Sequence, residues 1–230
     1  MILGDIMDNI QSIVTRQDRK TLAISITRDG KVVVKAPFSI PLSEIKRFVD
    51  EKQGWIDAKL RSIHNVLEVN ADLISYRNFL FLGTRYKPFW ADVKEPTFDT
   101  ANRFLIPSAL AETDVLKAIA KFFRKEAKRI LSQRVKIVAD TMGLSVKSVK
   151  YSNAGGRWGS CSSSGVVSLN WRTIMLPTKL IDYVIVHELA HLVHMNHADR
   201  FWELVETYIP DCGILRKDLK NHAFVLNLLR

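Results

Sequence analysis

The segment HELAHLVHMNH, residues 187 to 197, constrains this chain more than any other stretch, because it holds four of the six histidines in 230 residues. His187 and His191 are four residues apart, a spacing that in a helix puts both imidazoles on one face, while Glu188 projects about 100° round. The flanking sequence suits a helix: Leu180, Ile181, Val184, Ile185, Leu189, Leu192 and Val193 supply the apolar bulk of a buried one. Two histidines and a carboxylate in such surroundings are costly unless a metal or hydrogen-bonding partners compensate them. The pattern predicts an HExxH metal site, with His187 and His191 as ligands.

A catalytic zinc ion takes three protein ligands and keeps one position open, so a third ligand is needed. On a continuous helix His194 lies about 10 Å along the axis from His187, at about 1.5 Å per residue, too far to share one ion. His197 is the better candidate, provided that Asn196 takes a left-handed conformation, ends the helix and lets the chain turn back. HExxH followed by histidine six residues later equals the metzincin spacing, although His194 stands where that motif has glycine. Glu203 or Glu206 on the next helical segment would complete a two-histidine, one-carboxylate site instead.

The rest of the chain is mixed. TLAISIT, a turn at Arg28, Asp29 and Gly30, and KVVVK read as a hairpin. An amphipathic helix follows from Ser43 to about Leu67, weakened at Gly54. A strand-rich stretch runs from Tyr76 to Ile106. A second helix runs from Thr113 to Met142 and stops at Gly143. A strand over SVKSVKYSN, the loop AGGRWGSCSSSG and the strand VVSLNWR lead to the HELAH helix after Pro177. Ala198 to Tyr208 and Ile214 to Leu229 are helical. The expected fold class is α+β, with an N-terminal β-rich module carrying one helix over 1–108 and a catalytic domain over 109–230. The strand at Val166 to Trp171 is expected at a sheet edge, where an extended peptide can add to it.

Composition excludes several classes. With 47% hydrophobic and 25% charged residues, 10 Gly and 7 Pro, the chain is neither disordered nor fibrous. No apolar run approaches the roughly 20 residues that cross a bilayer, so no membrane partner is expected. The first residues, MILGDIMDNIQS, carry Asp5 and Asp8 where a secretory signal carries basic residues, which predicts a cytoplasmic protein. Cys161 and Cys212 have no paired metal-binding spacing and read as free thiols, Cys161 as a small packed one rather than a ligand. A net charge of +10 favours weak association with nucleic acid, but no motif of a nucleic-acid reader is present. Trp158, Trp171, Phe201 and Trp202 read as core residues rather than a base-stacking platform.

The run RWGSCSSSGVVSLNWRTIMLPTKLIDYVIVHELAHLVHMNHADRFWELV resembles the YgjP-like metallopeptidase domain family, which is similar to the SprT and WLM zincin groups. RQDRKTLAISITRDGKVVVKAP followed by a Trp-bearing helix resembles the family's N-terminal part. The resemblance implies a zincin-like metallopeptidase domain, one Zn2+ held by His187, His191 and His197, and Glu188 as catalytic base. The expected chemistry is peptide-bond hydrolysis of a peptide or protein substrate, with a zinc-activated water. Tyr183, His194 and Arg157 are candidate transition-state or cleft residues; Tyr183 lies one turn before His187. Two other readings remain open: a metal-dependent nucleotide pyrophosphatase, a label some YgjP-like proteins carry, and a non-catalytic zinc module associated with nucleic acid.

Overall fold

The computed structural model describes residues 12–27 and 30–229, which fall into two compact units divided between Ala71 and Asp72. In the N-terminal unit β1 (Ser12–Gln17) runs parallel to β3 (Val32–Pro37), and β2 (Ala23–Ile26) pairs antiparallel with β3. The expected hairpin is therefore present; Arg28 and Asp29 of its turn lie outside the described residues, and Gly30 has φ 83°. Alternation along β3 buries Val32, Val34 and Ala36, on which Ile45, Val49 and Ile56 close a small core. The helix expected over 43–67 is two helices, α1 (Leu42–Glu51) and α2 (Gln53–Val69). They break at Lys52, whose N–H turns onto the Val49 carbonyl at 3.0 Å, so Ile45 and Val49 on one helix and Ile56 on the other meet the same sheet.

After α3 (Ala71–Ile74), the C-terminal unit opens with the hairpin of β4 (Phe79–Phe81) and β5 (Thr84–Tyr86). β6 (Pro88–Ala91), β7 (Thr97–Phe98) and β8 (Phe104–Pro107) form a sheet of order β6-β8-β7. The sequence places the change of module at 108, whereas the compact units divide at 71, and aromatic packing is the reason. Phe81, Phe98 and Phe104 pack at tilted angles among themselves and onto Phe122 and Phe123 of α4 (Glu112–Met142), with centroids 4.9 to 6.5 Å apart. Those strands bury their apolar faces on α4, so they belong with it.

α4 carries an inward row at every fourth position, Ile119, Phe123, Ala127, Leu131, Val135 and Ala139, and ends at Gly143. β9 (Ser148–Ser152), β10 (Gly159–Cys161) and β11 (Val166–Asn170) follow as a sheet of order β10-β11-β9. The expected edge strand is thus central: β11 pairs with both neighbours, and β10 takes the edge. A 3-10 turn over Trp171–Met175 leads into α5 (Thr178–Ala190), then α6 (Asp199–Tyr208) and α7 (Cys212–Asn221).

Two contacts fix α5. Arg134 of α4 forms a two-pronged ion pair with Asp182, its Nε donating at 2.6 Å to Oδ1 and its Nη2 to Oδ2. The β4–β5 turn docks on the start of α5, with Leu82 N donating to Ile174 O at 2.8 Å. Gly83 there has φ 80°. A Cβ on it would lie 2.7 Å from Pro177 Cα, so only glycine fits. No helix among the described residues is long and apolar enough to cross a membrane.

Candidate metal centre

α5 is buried almost all round, with Leu180, Ile181, Tyr183, Val184, Ile185, Val186, Leu189 and Ala190 in the core. It ends earlier than the motif suggests. His191 is its C-terminal cap, and the N–H groups of Val193 and His194 fold back onto the Ala190 carbonyl at 3.1 and 2.9 Å. The helix therefore stops before His194, and no left-handed turn at Asn196 is involved, since Asn196 is absent from the positive-φ residues. The tightened last turn gives terminal carbonyls donors and frees the next residues to cross back toward His187 and His191.

His197 returns because α6 packs on α5 through Phe201. The Phe201 ring is fully buried, with centroids 5.0, 4.7 and 4.7 Å from the rings of His187, His191 and His197. Trp202 stacks on His197 at 5.7 Å and donates its Nε1–H to the His197 carbonyl at 3.1 Å. One ligand-capable nitrogen on each of His187, His191 and His197 lies within 4.8 Å of the others. Glu203, Glu206 and Cys161 are outside this group. Both cysteines are free thiols, and burial pushes the Cys161 thiol up, helped by the Glu188 charge.

The three imidazoles suit a zinc ion on their own geometry. His197 Nε2 and His187 Nε2 are 3.1 Å apart. That separation lets both reach one ion at the usual zinc–nitrogen distance of about 2.0–2.1 Å. His191 Nδ1 meets the His194 carbonyl at 3.1 Å, which assigns the proton to Nδ1 and leaves Nε2 with a lone pair. Burial, then the neighbouring His191 and His197, then Arg216, push His187 down to about 4, so it is neutral and able to ligate. Burial and the His191 and Arg216 charges lower His197 as well.

Beside these rings lies a cleft of about 290 Å³ lined by Arg157, Trp158, Gly159, Tyr183, Val184, His187, Glu188 and Leu219. Glu188 is buried, and that burial pushes its carboxyl up to about 7 while the Arg157 charge pulls it down. A Cβ on Gly159 of β10 would lie 2.7 Å from both Cγ and Oε1 of Glu188, so the edge strand runs in direct contact with that carboxylate. Tyr183 and Arg157 are both in the cleft lining; Tyr183 is buried, its ring 6.1 Å from that of His187, and burial raises its hydroxyl. His194 is not in that lining, and its carbonyl orients His191.

Sequence reasoning placed Gly159 only within a loop over 155–165 able to line the cleft, and it missed the contact of Gly159 with Glu188 and the whole of Leu219, both of which arise through tertiary packing. It took Phe201 and Trp202 as core residues; Phe201 is fully buried and Trp202 half-buried, and both form the wall against which the imidazoles stand. The signal for that role was their place at i+4 and i+5 from His197.

The family profile of the YgjP-like metallopeptidase domain matches residues 20–222. A solved metallopeptidase zymogen, abylysin of Pyrococcus abyssi, is 21% identical; the match covers 39% of this chain and 90% of that one, with a TM-score of 0.36. No curated protein matches the chain.

Proposed function

Since the chain belongs to the YgjP-like metallopeptidase domain family, we propose that it is a zinc-dependent peptidase, with one zinc ion held by His187, His191 and His197 and Glu188 as general base. The observation that carries this reading is the contact of edge strand β10, through Gly159, with the buried carboxylate of Glu188 beside three converging imidazoles. A zinc ion supplies Lewis-acid chemistry, making water more acidic and a peptide carbonyl more electrophilic. An extended peptide adding to the free edge of β10 gains main-chain hydrogen bonds, which hold it over Glu188. Glu188 then accepts a proton from the attacking water and delivers it to the departing amine nitrogen. Tyr183 is the cleft donor available to the developing oxyanion. A nucleoside triphosphate suits the cleft less well, because Arg157 is its only lysine or arginine among the described lining residues.

Metal removal tests this directly. Purified protein is expected to contain one zinc per chain, to lose hydrolysis of unstructured peptides on chelation, and to regain it with zinc. Cleavage indifferent to chelation, or pyrophosphate release from a nucleoside triphosphate in its place, would overturn the reading.

Gly159 offers a finer test. Gly159→Ala forces Glu188 or β10 to shift, an overpacking that costs about 1–3 kcal/mol. Peptide hydrolysis should fall about 10- to 100-fold, with zinc content unchanged because no ligand moves. Unaltered kcat/KM would show that β10 and Glu188 are not coupled in catalysis.

A further inference from the structure

Two guanidinium groups border this site, and among the described residues neither is hydrogen-bonded or ion-paired to an acid. Arg157 stands in the cleft lining two residues before Gly159, at the N-terminal end of the edge strand. Arg216 comes from α7, one turn before Leu219, which also lines the cleft. It lies 4.5 Å over the Trp202 ring, and that ring in turn stacks on His197. The Arg216 charge reaches Tyr183, His187 and His197, and the Arg157 charge reaches Glu188. Among the described residues neither side chain has a hydrogen-bonded or ion-paired acid; Glu206 and Asp211 act on Cys212 nearby without pairing to Arg216. Both arginines are exposed, yet Arg157 stands beside a buried carboxylate and Arg216 beside the Trp202 ring that stacks on His197, where an incoming anion would meet them.

Resting on the peptidase reading, we infer that Arg157 and Arg216 form an anion-recognition subsite that takes a carboxylate of the substrate, on the side of the cut that leaves as the amine. Strand direction sets the side. A peptide pairing antiparallel with β10, the more favourable mode, runs opposite to it, so its C-terminal part lies at the N-terminal end of β10, where Arg157 stands. Guanidinium forks suit a planar carboxylate, which they hold by two parallel hydrogen bonds. Two sources carry that group: the α-carboxylate of the substrate's own chain end, and an aspartate or glutamate side chain beyond the scissile bond. Arg157 and Arg216 select the substrate in this role and take no part in proton transfer.

The zinc-loaded protein is tested on peptides that differ in one group. One pair ends in a free carboxylate or a carboxamide; a second pair, amidated at the C-terminus, carries Glu or Gln after the cut. Wild type should favour the acid of at least one pair by about 10- to 100-fold in kcat/KM, chiefly through KM. Which pair shows the preference identifies the source. Arg157→Gln and Arg216→Gln should each lower that ratio toward one. Equal handling of acid and neutral peptides by wild type overturns the subsite. Binding of the same peptides to zinc-loaded Glu188→Gln, followed by tryptophan fluorescence, separates the subsite from the reaction. An acid preference in binding without any cleavage by wild type sinks the peptidase reading and leaves the subsite standing. Tighter binding of a nucleoside triphosphate than of any peptide acid, lost in both arginine variants, overturns the carboxylate assignment in favour of phosphate.

Discussion

Glu188→Gln is expected to slow peptide hydrolysis by about 10³-fold while leaving zinc in place, within the usual range of about 10²–10⁴ for a lost general acid–base group. The substitution keeps the side chain's shape, which matters because Gly159 presses on it: the site where a Cβ would sit is 2.7 Å from Oε1. The carboxamide cannot accept and return the proton, and that function alone is removed. The ligands are untouched, since the converging nitrogens belong to His187, His191 and His197. Folding should not suffer either, because a carboxylate that burial already disfavours is replaced by a neutral group. The measurements are kcat/KM, zinc content and thermal midpoint on the same preparation. Activity within a few-fold of wild type, with zinc bound, would remove Glu188 from the mechanism.

Arg172→Ala should produce the largest loss of stability, about 3–5 kcal/mol, as for other truncations that break a buried charged network. Arg172 is fully buried, with Nε donating to the Leu228 carbonyl, Nη1 to Asn153 Oδ1 at 2.6 Å and Nη2 to the Leu229 carbonyl at 3.1 Å. Its guanidinium lies 4.3 Å over the Trp171 ring, whose indole N–H donates to the same Asn153 oxygen at 3.1 Å. Asn170 beside it, also fully buried, binds the Ala154 carbonyl at 2.6 Å and the Arg157 carbonyl at 3.3 Å. Arg172 thus ties three places together: the loop that carries Arg157, the turn that launches α5, and residues 228–229. Truncation takes these donors from the carbonyls of Leu228 and Leu229 and leaves Asn153 Oδ1 with the Trp171 indole N–H. Lysine, a point charge with no planar fork, should restore only part of the loss. Denaturant titration with an unchanged slope measures it, and an unshifted midpoint would refute the role.

Several features were readable from residue order because their causes are local. Four-residue spacing places His187 and His191 on one face of any helix, and the inward row of α4 follows from the same periodicity. The β2–β3 hairpin needed only alternation and a turn. Other features depended on neighbours distant in sequence. β11 is central because β9 and β10 both pair with it, and alternation within VVSLN cannot report how many partners a strand has. β4, β7 and β8 join α4 because Phe81, Phe98 and Phe104 find Phe122 and Phe123, a preference invisible until the helix is present.

At the candidate metal centre the same division holds. Spacing alone determined which two histidines share a helix face and that Glu188 lies beside them, since helical pitch is a property of the backbone. Only the tertiary structure decided how His197 reaches them, because its position depends on an early end to α5 and on Phe201 packing under all three rings. Only the tertiary structure, too, set Gly159 against Glu188, put Arg157 in the cleft lining and laid Arg216 over the Trp202 ring that stacks on His197. Packing between distant segments settles such contacts, and that is a sum over the whole core rather than a property of any one stretch.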